Sequence, residues 1–214
     1  MTSGRGVLLD VYRTAVHTDF AAVFERLATD IDVAPRSLSA ALNEVAPAVT
    51  VGRVTMADAL ATAVSACGRT VTHAEAIELA RLDAEALIGA SSVFDDVLPF
   101  IESCRRIGVP VAFVSNCAEN TRPLLQALGL ANAVDAIVLS CAVGSAKPSP
   151  EIFDHALAAL NADAPSSVLI DDQVEYCDGA ESLGITAVHI RRGAPADTSA
   201  VSSLGEVPRL LGWP

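Results

Sequence analysis

Two textures follow one another along the chain. From residue 15 to 92, apolar side chains recur at helical spacing. "TDFAAVFERLATDI" and "PRSLSAALNEVA" set them three and four positions apart, and the second opens on a proline suited to a first helical turn. "TMADALATAVSAC" starts behind a Thr55 cap. In "THAEAIELARLDAEALIGA", Thr72 and Glu75 have the spacing of a capping box. The pattern predicts helix after helix here, and no strand. Beyond residue 93, short apolar runs alternate with amphipathic stretches. "VPVAFVSN" (109–116), "AIVLS" (136–140), "SVLIDD" (167–172) and "TAVHI" (186–190) read as strands, and "ENTRPLLQALG", "PSPEIFDHALAAL" and "VEYCDGAESLG" between them as helices. Such alternation predicts a parallel sheet covered on both faces. "GVLLD" (6–10) has the same character as those strands. The expected layout is an α/β core, residues 1–14 and 93–214, whose first strand is followed by an all-helical insertion, residues 15–92. The tail "GAPADTSAVSS" predicts a surface loop before a short last helix.

In open parallel sheets, ligands bind beyond the carboxyl ends of the strands. "GVLLD" ends in Asp10, with Thr14 four residues on. "VPVAFVSN" ends in Ser115 and Asn116, and "SVLIDD" in Asp171 and Asp172. Lys147, in "GSAKPSPEIF", lies in the loop after "AIVLS". Taken singly, an aspartate after a strand caps the next helix and Ser-Asn makes a turn. Taken together, they bring carboxylates, a hydroxyl, an amide and an ammonium to one sheet edge, which is a site. Asp10 and the 171/172 pair offer the hard oxygen ligands that suit Mg2+. An aspartate held against such a metal can act as a nucleophile.

Composition sharpens this picture. Lys147 is the sole lysine among 14 basic residues, so an ammonium is kept here while arginine serves elsewhere. A net charge of −12 argues against nucleic acid or an anionic membrane as partner, but not against a small anionic substrate in a locally positive site. No apolar run reaches the roughly 18 residues that span a bilayer. The opening "MTSGRGVLLDVYRTAV" reads as a first strand and not as a signal peptide. Five cysteines without a CxxC suit reduced thiols and a cytoplasmic setting. Cys117 follows a strand end, but no histidine is placed to activate it, and a structural role is expected.

Four motifs in order, "LLDVYRT", "FVSN", "AKPSPEIF" and "LIDD" followed by "CDGAESLGI", resemble the haloacid dehalogenase (HAD) superfamily across residues 5–14 and 94–192. The resemblance implies a Rossmann-like core with a helical cap after the first motif. It implies Asp10 as nucleophile and metal ligand, and Ser115 and Lys147 orienting a phosphoryl group. Asp171, with Asp172, would complete a Mg2+ site to which the backbone carbonyl of Tyr12 also contributes. Thr14, Asn116 and Arg13 are expected at the substrate.

The first motif departs from the family pattern. Phosphatases of the family carry a second aspartate, a general acid/base, where this chain has Tyr12, and a glycine where it has Arg13. Tyrosine at that position resembles the 2-haloacid dehalogenase branch, which works at carbon without a metal. "LIDD" points the other way, because paired carboxylates at a strand end are costly without a cation. Phe153 also stands where dehalogenases tend to have a tyrosine. A Mg2+-dependent phosphohydrolase of a small phosphorylated metabolite is the leading reading. A dehalogenase-like hydrolase and a divergent, non-catalytic member are the alternatives. A leaving group that needs no acid, the Tyr12 hydroxyl, or a residue of the insertion such as His17 would answer for the missing aspartate.

Overall fold

The computed structural model describes residues 4–193 and 200–214. Residues 194–199, within the tail expected to form a loop, lie outside the described residues. The chain enters through β1 (Gly4–Leu9) and leaves the sheet by β2 (Val16–Thr18). It then forms α1 (Phe20–Asp30), α2 (Pro35–Thr50), α3 (Met56–Ala66) and α4 (His73–Gly89), and returns through β3 (Ser91–Val93). The core resumes with α5 (Val97–Arg106), β4 (Val111–Ser115), α6 (Thr121–Ala127), β5 (Ala136–Leu139) and α7 (Ser140–Val143). It closes with α8 (Pro150–Leu160), β6 (Ala162–Asp171), α9 (Val174–Ser182), β7 (Thr186–His189) and α10 (Val207–Leu210).

Five strands pair in the order β5-β4-β1-β6-β7, all parallel. Because strand side chains alternate faces, each central strand feeds two cores. Val7 and Leu9 of β1, Val111 and Phe113 of β4, and Val168 and Ile170 of β6 enter one cluster with Phe100, Ile101 and Leu124 of α5 and α6. Leu8, Ala112, Val114 and Leu169 enter the other with Ile152 and Phe153 of α8 and Ala180 of α9. Full burial of such an aliphatic side chain contributes about 1.5–3 kcal/mol, so these strands run almost continuously apolar. Phe153, fully buried, belongs to this packing and not to a site.

The four inserted helices close on their own core, where Leu27, Leu38, Leu60, Val64 and Leu79 meet. Their caps are those the sequence predicts. The Asp58 amide donates to Thr55 Oγ1 at 3.1 Å. The Thr72 amide donates to Glu75 at 2.7 Å while the Glu75 amide donates back to Thr72 Oγ1 at 3.3 Å.

The expectation of no strand between 15 and 92 is corrected. β2 and β3 pair antiparallel, Val16 opposite Val93, as a ribbon carrying the chain out to the helices and back. Three residues per strand are too few for a period-two pattern to stand out. Behind the ribbon, Arg192 donates to the Thr14 carbonyl at 3.1 and 2.6 Å and to Asp96 at 2.6 Å, and stacks on the Phe94 ring at 4.2 Å. This planar fork ties the start of the ribbon to its end. Arg192→Ala removes the charge that answers Asp96, which keeps only the Leu204 amide at 2.7 Å, and takes both guanidinium donors from the Thr14 carbonyl. The expected loss is about 2–3 kcal/mol in urea unfolding.

Candidate active site

The sheet order places β1 in the middle, with the chain turning one way to β4 and β5 and the other way to β6 and β7. A crevice opens where the winding reverses, at the carboxyl ends of the strands. Asp10, directly after β1, and Asp171, the last residue of β6, come from neighbouring strands. Lys147 reaches them from the loop between α7 and α8. Its Nζ donates to Asp10 Oδ1 at 2.7 Å and to Asp171 Oδ2 at 2.5 Å, and all three residues are buried. Burial alone would lower the ammonium's pKa. The two carboxylates outweigh that and hold it above its ordinary value, so Lys147 is charged. Asp171 is pushed above the usual carboxylate range by burial and then by Asp10, against the pull of Lys147.

Several contacts fix the lysine. The Asn116 side chain donates to the Lys147 carbonyl at 2.8 Å and accepts from the Lys147 amide at 2.7 Å. Asn116, expected at the substrate, has its side-chain amide engaged in positioning Lys147. The Tyr176 ring, on α9, lies 5.2 Å from Nζ. Gly179, also on α9, is in close approach to Pro148, where an added Cβ would meet the proline's at 2.6 Å.

Asp172 is half-buried beside this centre. Its carboxylate accepts from Gln173 Nε2 at 2.8 Å and lies 3.4 Å from Arg13 Nε. Carboxylate oxygens of Asp10, Asp171 and Asp172 all fall within 4.8 Å of one another. Three carboxylates against one buried ammonium leave excess negative charge, and their hard oxygen donors fit a divalent cation such as Mg2+. Ser115, the last residue of β4, and Thr14 are both fully buried, and neither hydroxyl has a hydrogen-bond partner among the described residues. Orphaned buried hydroxyls are costly unless a ligand meets them.

The residues of the first motif divide. Tyr12 is hydrogen-bonded through its hydroxyl to Thr121 Oγ1 at 2.8 Å. Burial raises its pKa, against the Thr121 bond, so it is a weak acid. Arg13 is exposed, in the left-handed region at φ 62°, where the family's glycine would be at ease. His17 is exposed on the ribbon with its ring edge to Phe94, and is absent from the cavity described next. The Cys117 thiol is held above its ordinary pKa by the Cys141 thiol and by burial, which leaves it unreactive.

A cavity of about 350 Å³ lies between the helical insertion and the sheet edge. Tyr12, Asn116 and Cys117 bound it on the sheet side, and Phe20, Phe24, Leu42, Val49 and Asp83 on the helical side. Asp10 does not line it; its neighbour Tyr12 does. Asp83 and its partner Asn120 were not foreseen as site residues. In "ELARLDAEALIGA" the aspartate looks like one more acid on a solvated helix face.

Residues 3–184 match the haloacid dehalogenase-like hydrolase family, and the chain belongs to it. A phosphatase of Mycobacterium tuberculosis is 29% identical over 136 residues, 63% of this chain and 61% of that protein. The chain spans between 42% and 61% of the length of the curated relatives it matches. Among solved structures, a HAD family enzyme from Bacteroides thetaiotaomicron in complex with magnesium and inorganic phosphate superposes with a TM-score of 0.70. It is 16% identical, and the match covers 91% of this chain and 98% of that one. The L-2-haloacid dehalogenase from Xanthobacter autotrophicus also gives 0.70 at 16% identity, covering 99% of this chain and 100% of its own. At those identities the likeness is one of fold. A parallel sheet with helices on both faces is common to them.

Gly179→Ala tests how tightly the lysine loop is held. The added methyl must displace Pro148, and a loss of about 1–3 kcal/mol is expected in thermal or urea unfolding.

Proposed function

We propose that the protein is a Mg2+-dependent phosphohydrolase acting on a small phosphorylated molecule, with the four-helix segment serving as a cap over the sheet edge. The observation that carries this reading is the cluster of Asp10, Asp171 and Asp172 around one buried lysine. A metal-independent dehalogenase would leave these carboxylates with no cation beyond Lys147 and the exposed guanidinium of Arg13, whose contact with Asp172 offsets little of the cost. The phosphatase names carried by curated relatives, among them a phosphoglycolate phosphatase of Cupriavidus necator, support the same class. Asp10, Asp171 and Asp172, with the Tyr12 carbonyl, would hold Mg2+, which would neutralise phosphoryl charge when bound.

The chain's own residues then have these roles. A carboxylate oxygen of Asp10 attacks phosphorus, the bond to the leaving oxygen breaks, and an aspartyl phosphate forms. Lys147 holds an oxygen of Asp10 in place, and its ammonium, with two of three donors engaged, has one left for a substrate oxygen. Ser115 and Thr14 hydroxyls, without a partner among the described residues, donate to the transferred group. Water then attacks the phosphorus of the aspartyl phosphate, releasing phosphate and restoring the carboxylate. Tyr12, bound to Thr121 and weakly acidic, is a poor substitute for the missing aspartate. General acid catalysis typically contributes about 10²–10⁴-fold, so the fitting substrates have leaving groups that depart as stable anions.

The test is phosphate release from aryl phosphates, with halide release from 2-haloacids followed in parallel. Release is expected with Mg2+, lost with EDTA, and abolished in Asp10→Asn. Phosphate release that survives Asp10→Asn, or halide release indifferent to EDTA, refutes the reading. Lys147→Arg, with a longer and planar head where a compact one sits between two carboxylates, should lower kcat/KM by about 10²–10³. Circular dichroism checks that the variant folds.

A further inference from the structure

Asp83 is a buried carboxyl group that no basic side chain faces among the described residues. It sits on α4, is only 5% exposed, and faces the cavity between the helices and the sheet edge. Its one hydrogen bond comes from Asn120 Nδ2, at 2.6 Å to Oδ2. Among the described residues lining that cavity, Asp83 is the sole charged one, and none is basic. The rest of the lining is largely apolar, with aromatic rings from Tyr12, Phe20 and Phe24.

Fastening α4 to α6 does not explain the charge. An asparagine at 83 would accept the same bond from Asn120 without burying a carboxylate, which is costly when unpaired. Burial pushes the Asp83 pKa up, against the Asn120 bond that lowers it, so the ionised form is disfavoured until a partner arrives. A cation entering the cavity relieves that penalty.

We propose that this cavity selects a substrate whose leaving group is an apolar, preferably aromatic, body ending in an ammonium, and that Asp83 is the specificity-determining residue that pairs with it. The phosphate end of that substrate rests on the function proposed above; the amine end does not.

The test compares para-(aminomethyl)phenyl phosphate with para-ethylphenyl phosphate, which have nearly the same shape and differ by one charge. Both leave as phenoxides, which need little acid. Binding of the two corresponding non-hydrolysable phosphonates is measured by calorimetry with Mg2+ present. The wild-type protein is expected to prefer the amine about tenfold or more in binding and in kcat/KM, the factor that one charge-assisted hydrogen bond supplies. In Asp83→Asn the ratio between the two compounds should fall to about one in binding and in kcat/KM, and the melting temperature should be equal or higher. No preference in the wild type, or a preference that survives Asp83→Asn, overturns the proposal. If neither phosphate is hydrolysed but the phosphonate preference holds and disappears in the variant, the assignment of Asp83 stands and the hydrolase reading falls.

Discussion

The site is organised around the Lys147 ammonium held between Asp10 and Asp171. An ammonium taken wholly out of water loses several kcal/mol of hydration, and two carboxylates brought this close repel one another. Neither side is tolerable alone. Together they are, because Nζ bonds both at 2.7 and 2.5 Å, so the attraction acts at short range in a poorly screened interior. The carboxylates come from the ends of adjacent strands β1 and β6, so their separation is set by backbone pairing. The lysine comes from a loop, and a loop needs holding. The reciprocal bonds with the Asn116 amide, the Tyr176 ring and the close contact of Gly179 with Pro148 do that from three sides.

That arrangement depends in turn on the order of strands. With β1 central, between β4 and β6, the short segment that follows it stays tied to the sheet through the Asp10 amide, which donates to the Ile170 carbonyl of β6 at 3.0 Å. The same segment must also send the chain out to the four helices. Tyr12 bridges to Val16, the Arg13 amide donates to the Val16 carbonyl at 2.7 Å, and Arg13 takes a left-handed turn. A non-glycine residue in that region costs about 1–2 kcal/mol. The sharp reversal is kept even so. Arg13 brings a compensating contact with Asp172, a weak one at 3.4 Å with the guanidinium exposed.

Much of this was legible beforehand. Asp10, Ser115 and Asp171 could be assigned to the sheet edge because a parallel strand buried on both faces is a continuous apolar run, and the first polar residues after it mark its carboxyl end. Thr55, Thr72 and Glu75 were legible because capping is local. What stayed hidden is tertiary. Nothing in the sequence distinguishes the Asn116 amide bonding a substrate from the same amide bonding the main chain of Lys147, thirty-one residues away. Arg192 looks like its neighbour Arg191, yet only Arg192 reaches the Thr14 carbonyl and Asp96. The ribbon strands are too short to show a period. Asp83 sits in a helix whose charges otherwise face solvent, such as Glu78 and Glu85 around Arg81.

Asp83 and Tyr12 can be read as two halves of one change. A second aspartate at position 12 would put another carboxylate beside Asp10, Asp171 and Asp172, where one lysine already faces three acids. Tyrosine adds no charge there. Its ring instead packs 5.5 Å from Phe20, and its hydroxyl reaches Thr121, giving the cavity an apolar wall at the sheet edge. The carboxylate that the cavity does contain is set on the opposite side, on α4, with a single neutral partner. It lines the cavity, which Asp10 does not, and so faces what occupies that space. On the proposed reading, Tyr12 adds no negative charge to the reacting centre, and Asp83 supplies it for recognition. A leaving group that carries its own positive charge, and departs without an acid, is the ligand that satisfies both halves.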